Sequence, residues 1–184
     1  MRSLAAIALG SNLESAFGDR EANLGEAIRL IRLLGEVTAV SSFYETEPVG
    51  FLAQPRFING ALLLETDLEP LALLRELLAV ERAMGRERVG AVAKGPRVID
   101  LDLLLYFSGD GSKRDGLKEV EGAGITRDRV DQDRGDVVME TEELVLPHPE
   151  MQTRRFVLEP LGEIAPEWVH PVLGLTVEEM LERV

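Results

Sequence analysis

The 184 residues include no cysteine, which excludes disulfides, thiol nucleophiles and cysteine-ligated metals and fits a cytoplasmic setting. Positive charge is scarce: 20 Lys and Arg stand against 33 Asp and Glu, a net charge of -13. Binding along a nucleic acid backbone is therefore disfavoured. Apolar runs are short. None approaches the length that crosses a membrane, and the run inside residues 1–10 reads as a buried strand rather than a secretory leader. There is also no glycine loop ending in Gly-Lys-Ser/Thr, no kinase-type glycine loop and no dinucleotide fingerprint. Any phosphate chemistry here must rest on acids, magnesium and arginines in another scaffold.

What is present suffices for one domain with a real core. Hydrophobic residues make up 45% and charged residues 29%, ordinary for a globular chain. Residues 4–9 form a short apolar run ending at Gly10-Ser11-Asn12, a strand followed by a turn. Leu24, Ala27, Ile28, Ile31 and Leu34 keep helical spacing, with Gly35 as the stop. Residues 37–44 alternate as a second strand, 45–55 form a Pro- and Gly-punctuated loop, and 57–66 are a third strand. Pro70 opens a helix striped by Leu73, Leu77, Val80 and Met84 and closed by Gly85. A basic loop, 86–95, then leads into a strand that follows Pro96. The order β-α-β-β-α-β predicts an α+β, ferredoxin-like core, its helices covering one sheet face and leaving the other for additional elements or a ligand, with a small hairpin and C-terminal helices added.

Residues 108–134 are rich in Gly, Asp, Lys and Arg and read as a flexible insertion in a single domain spanning 1–184. Residues 137–139 and 144–146 predict a small hairpin, and 156–164 a helix. Thr176 to Glu179 is a capping box, with Leu175 and Met180 as its staple, opening a last short helix.

The unusual stretch is 95–106, where Asp100 and Asp102 interrupt a leucine run. Strand alternation puts both acids on one face, their Cα atoms about 6.5 Å apart, with Ile99, Leu101 and Leu103 on the other. Acids are depleted in strands and like charges repel. The pair reads either as a grip for divalent cations or as a solvated face. Arg86, Arg88, Lys94 and Arg97 just precede it and suit a polyanion or, equally, surface pairing with Glu81 and Glu87. His148, held between Pro147 and Pro149 near Arg154 and Arg155, is either aimed at a ligand or structural; His170 is assigned to structure.

Six segments in order resemble the 6-hydroxymethyl-7,8-dihydropterin pyrophosphokinases of folate biosynthesis. They are Ala8-Leu9-Gly10-Ser11-Asn12-Leu13, Ser41-Ser42-Phe43-Tyr44-Glu45-Thr46-Glu47-Pro48, Gln54-Pro55-Arg56-Phe57-Ile58-Asn59, Glu81-Arg82-Ala83-Met84-Gly85-Arg86, Gly95-Pro96-Arg97-Val98-Ile99-Asp100-Leu101-Asp102 and Leu146-Pro147-His148-Pro149. The resemblance implies transfer of pyrophosphate from ATP to the pterin hydroxymethyl oxygen, with release of AMP. It implies two Mg²⁺ ions on Asp100 and Asp102, one activating the pterin hydroxyl. Arg86 and Arg97 would handle phosphate, while Glu81, Arg88, Leu103, His148 and Arg154 would line the ATP side. Thr46, Val49, Phe57, Asn59 and Phe156 would hold the pterin.

The chain departs from that pattern at several positions. Lys94 stands where some members have a tryptophan, Phe57 replaces a tyrosine, Leu78 stands where some members have a glutamine, and the insertion occupies a usual tight turn. The loops at 10–17, 45–55 and 86–94 are expected to close over the site. A monomer acting on small molecules, with no nucleic acid or membrane partner, is the corresponding expectation. A non-catalytic binding module and a single-phosphate transferase are the rivals.

Overall fold

Two aspartates among leucines do settle into a strand, but one whose course is set by its neighbours. The structure is a computed structural model that describes residues 2–86, 95–109 and 135–184. Arg88, Glu87, Lys94 and residues 110–134 of the expected insertion lie outside the described residues.

In chain order the elements are β1 (Ser3–Ser11), α1 (Arg20–Ile31), β2 (Glu36–Val40), β3 (Tyr44–Thr46), β4 (Phe57–Thr66), α2 (Pro70–Ala83) and β5 (Asp100–Ser108). After them come β6 (Gly135–Asp136), β7 (Met139–Glu140), β8 (Val145–Leu146), a 3₁₀ turn at Met151–Thr153, α3 (Arg155–Ile164) and α4 (Val177–Leu181). The main sheet runs β2-β4-β1-β5-β6, with β3 also on β4, and every pairing is antiparallel. The fold is thus a mixed α/β arrangement on an antiparallel sheet, with four α-helices among the described residues.

Alternation divides the side chains between two cores. On one face Ile7 and Leu9 of β1, Leu62 and Leu64 of β4 and Leu101 and Leu103 of β5 pack beneath α1 and α2, through Leu24, Ala27, Ile31, Leu73 and Leu77. On the other face Ala6, Ala8, Ala61, Leu63 and Leu104 meet Val157, Leu158 and Leu161 of α3 and Val177 and Met180 of α4. The two helices of the β-α-β-β-α-β core thus cover one face, as expected, and the added C-terminal helices α3 and α4 cover the other. The amphipathic stripe of α3 needs an apolar partner, and the alanines of β1 and β4 supply a shallow one. Each buried Leu or Ile contributes about 1.5–3 kcal/mol by leaving water.

Several predicted boundaries move, for identifiable reasons. The strand after Pro96 begins only at Asp100, because Arg97 spends its backbone on Asn12. Arg97 N donates to Asn12 Oδ1 at 2.7 Å, and Asn12 N donates to Arg97 O at 3.1 Å. The single strand predicted over 37–44 is two. Between them buried Ser41 bonds Ala61 twice: its N donates to Ala61 O at 2.9 Å, and its Oγ accepts from Ala61 N at 2.9 Å. A side chain replaces a carbonyl there, and the ladder breaks.

Ser108 belongs to β5 rather than to an insertion. The small hairpin pairs Met139 with Leu146 and Glu140 with Val145, while Val137 N donates to Tyr106 O at the main sheet. Gly35 is not an immediate helix stop, since α1 ends at Ile31. A Cβ on it would lie 2.1 Å from Glu65 O, so the close approach to β4 demands glycine. Asp19 caps α1 by accepting from Ala22 N at 2.9 Å, and the Thr176/Glu179 capping box of α4 is present.

Candidate active site

One end of the α3-side face is left uncovered, and the residues there follow from strand register. Gly10 pairs with Asn59 on one side and Asp100 on the other; Ala8 pairs with Ala61 and Asp102. Reading across three strands, the floor is therefore amide, glycine, carboxylate, with an alanine-backed carboxylate one step further in. A Cβ at Gly10 would lie 3.2 Å from Asn59 Oδ1, so glycine keeps the floor low.

The cleft above that floor is lined by Ala8, Gly10, Thr46, Glu47, Val49, Phe57, Asn59, Arg97, Asp100, Asp102, Glu150, Thr153, Arg154 and Phe156, among others. All five residues expected on the pterin side are in it. So are Arg97, Asp100, Asp102 and Arg154. Asn59 Nδ2 donates to Thr46 Oγ1 at 2.7 Å, which orients the amide from β4 against β3.

The acids are not equivalent. Asp100 is held on both oxygens: Arg86 bonds Oδ1, and Arg97 Nη2 lies 2.8 Å from Oδ2. Among the described residues Asp102 has only Arg154, whose Nη1 is 3.9 Å from its Oδ2. Burial first, then the nearby Asp100 charge, push the Asp102 carboxyl from 3.8 up to about 6, against the pull of Arg154 and Arg97. Its side chain still shows 34% of its surface to the cleft. A buried, under-neutralised carboxylate beside a second acid is a donor set suited to a hard cation. Among the described residues no group of three acids or histidines forms a complete cage, and Mg²⁺ typically takes one or two carboxylates plus phosphate oxygens.

Arginines surround the acids. Arg97 sits with its guanidinium 5.1 Å from the Phe57 ring centre, and its buried Nε has no acceptor among the described residues. Arg154 lies 5.7 Å from the Phe156 ring centre and is also bonded to Glu150. These guanidiniums combine a cation with a stacking plane, which suits phosphate beside a flat ring.

Three expected nucleotide contacts are placed elsewhere. Glu81 is buried at 1% exposure behind the site, accepting from Leu101 N at 2.8 Å and from Arg86. It braces β5 instead of facing the cleft. Leu103 points to the opposite face, into the α1–α2 core, since Leu101 and Leu103 alternate away from the acids before the β1–β5 register shifts beyond Leu103. His148 does not line the cleft. Its N donates to Leu104 O at 2.9 Å, and its Nδ1 accepts from Glu150 N at 3.2 Å. Burial, then Arg154, hold its pKa down, so the imidazole is neutral. His170 is structural, its Nδ1 accepting from Val172 N and Leu173 N at 3.3 and 3.2 Å.

Sequence reasoning missed Asn12. At 1% exposure it joins Arg97 to the 45–55 loop, its Nδ2 donating to Gln54 Oε1 and Pro55 O, each at 3.0 Å. Its only signal was a polar residue just after a strand. Glu47, Glu150 and Thr153 were not singled out either: Glu47 is on the 45–55 loop expected to flank the site, while no local pattern reveals the approach of Glu150 and the 3₁₀ turn ending at Thr153.

An antiparallel α/β fold with paired acids and arginines at one end of a cleft, and an amide and two aromatic rings at the other, fits proteins that hold a polyanion beside a planar heterocycle. The chain belongs to the 7,8-dihydro-6-hydroxymethylpterin-pyrophosphokinase (HPPK) family, whose model matches residues 6–166.

It is 39% identical over 166 residues to a Bacillus subtilis 2-amino-4-hydroxy-6-hydroxymethyldihydropteridine pyrophosphokinase, covering 89% of this chain and 79% of that protein. With the Synechocystis protein of the same name it shares 34% over 180 residues, 98% of this chain and 75% of that one. With the folic acid synthesis protein fol1 of Pneumocystis carinii it shares 34% over 179 residues, 97% of this chain but only 20% of that much longer protein. Among solved structures, Plasmodium falciparum HPPK-DHPS A437G with STZ-DHP superposes with TM-score 0.66 at 15% identity, over all of this chain and 45% of that one. That likeness concerns the fold, and the chain spans less than half of the solved protein.

Proposed function

We propose that this chain transfers the pyrophosphoryl unit of ATP to 6-hydroxymethyl-7,8-dihydropterin, giving AMP and the pterin diphosphate, in folate biosynthesis. The observation that carries the reading is the register Asn59–Gly10–Asp100: an amide and a carboxylate flank one glycine, which supports an amide that would read the heterocycle beside an acid that would hold a cation. Membership in the pyrophosphokinase family supports it independently.

In this reading Phe57 and Phe156 hold the pterin ring, and Asn59 offers its edge both a donor and an acceptor. The hydroxymethyl oxygen then attacks the β-phosphorus of ATP, and the bond from that phosphorus to the α,β-bridging oxygen breaks. Arg97 and Arg154 are placed to meet charge on the transferring group, and Arg86 acts from beside Asp100. Asp100 and Asp102 would hold magnesium, two ions in this proposal, supplying positive charge against the triphosphate and greater acidity to the pterin hydroxyl.

The finer features belong to the same proposal. They are a ferredoxin-like topology, supported by the order β2-β4-β1-β5 with two helices on one face, and a monomeric, cytoplasmic protein acting on small molecules. No helix among the described residues is long and apolar enough to cross a membrane.

Incubation with ATP, Mg²⁺ and the pterin, followed by separation of nucleotides, tests the reading. AMP and pterin diphosphate in equal amounts are expected. ADP would point to a single-phosphate transferase, and binding without nucleotide turnover to a ligand-binding module.

A further inference from the structure

The pterin slot has two walls from elements that share no backbone ladder. One is β3, a three-residue strand that brings Thr46 to the cleft and, among the described residues, pairs only with β4. The other is the start of α3, which brings Phe156. Far from the cleft, in the last turn of the same helix, the Glu163 carboxylate reaches across to the β2–β3 connection and β3. Its Oε2 accepts from Ser42 N at 2.8 Å and from Tyr44 Oη at 2.9 Å, and its Oε1 accepts from Ser42 Oγ at 2.9 Å. These three bonds lower the pKa of Glu163, the Ser42 backbone bond contributing most, so the clamp is charged at neutral pH. Tyr44 and Thr46 alternate onto one face of β3, and Phe156 and Glu163, seven apart, share one face of α3. The clamp and the slot are thus opposite ends of the same β3–α3 contact.

We infer that Glu163 is a positioning residue for the pterin substrate: by tying Ser42 and Tyr44 to α3 it sets the distance between Thr46 and Phe156. The inference rests on the proposed function. Glu163 is exposed and touches neither the acids nor the arginines, so it is not a catalytic residue. Exposed ion-assisted contacts contribute little to global stability, which leaves orientation of a short edge strand as what this one does.

The test is steady-state kinetics and thermal unfolding of Glu163→Ala, Glu163→Gln, Tyr44→Phe and the double variant Glu163→Ala/Tyr44→Phe. Glu163→Ala should raise the pterin KM about five- to tenfold, with the ATP KM and kcat within about twofold of the parent. Glu163→Gln, which keeps an acceptor for Ser42, should recover most of that loss. The double variant should be no worse than Glu163→Ala, because both changes open one clamp. A pterin KM unchanged in Glu163→Ala, or a rise shared equally by ATP, overturns the inference while leaving the proposed function in place. Should Glu163→Ala fail to fold, Glu163→Gln and Tyr44→Phe still decide: equal shifts in both KM values in Tyr44→Phe overturn it. A parent protein that releases no AMP removes the functional reading, and the inference with it.

Discussion

Replacing Asp102 with Asn should make the protein more stable and inactive at once. A carboxyl moved from 3.8 to about 6 carries ~3 kcal/mol of penalty on its ionised form in the ligand-free fold. Because a third of the side chain still meets solvent, screening reduces this to about 1–2 kcal/mol. The unfolded carboxyl titrates near 3.8 and the folded one near 6, so between those pH values the native state binds more protons than the unfolded state. Stability from this group is present below pH 3.8 and is lost as pH rises through 6.

Asn, uncharged throughout, escapes that loss. Its melting temperature should exceed the parent's by about 3–6 °C at pH 8, and the gap should close toward pH 4. Magnesium with a non-hydrolysable ATP analogue should raise the parent's melting temperature and barely move the variant's. AMP release should fall by at least about a thousandfold, the scale on which removal of electrostatic stabilisation registers. Thermal scans from pH 4 to 8, with and without magnesium and analogue, plus the nucleotide assay, measure all of this. A variant less stable than the parent at pH 8, or one that retains a tenth of its turnover, would refute the reasoning.

Gly10→Ala places a methyl 3.2 Å from Asn59 Oδ1 in the cleft floor; the pterin KM should rise about tenfold with little loss of stability, by kinetics and thermal melting. Glu81→Gln weakens a buried brace to Leu101 N and Arg86, and denaturant unfolding should show a loss of about 2–4 kcal/mol. Phe156→Leu keeps apolar bulk but removes a ring face; pterin affinity, measured by fluorescence titration, should fall about tenfold, with the melting temperature nearly unchanged.

Local patterning made much of this protein legible. Period two alone put Asp100 and Asp102 on one face and Leu101 and Leu103 on the other, and the structure keeps both assignments. β4 has the predicted bounds, and Pro70 opens α2 as expected. Misreadings arose where a side chain did a backbone's work. Ser41 Oγ stands in for a ladder carbonyl and splits 37–44, and Asn12 captures Arg97 and delays β5. Glu81 misled differently: expected either to pair at the surface with the basic loop or to line the ATP side, its carboxylate is instead buried as a brace.

By itself the sequence determined the elements, the shared face of the two acids and the family, because periodicity, caps and ordered motifs are properties of neighbours along the chain. Only the tertiary structure decided that Gly10 lies between Asn59 and Asp100, that α3 and α4 cover the second face, and that Glu163 reaches Tyr44. Those facts depend on strand order and on which segments meet after tens of residues of intervening chain. No local propensity encodes that.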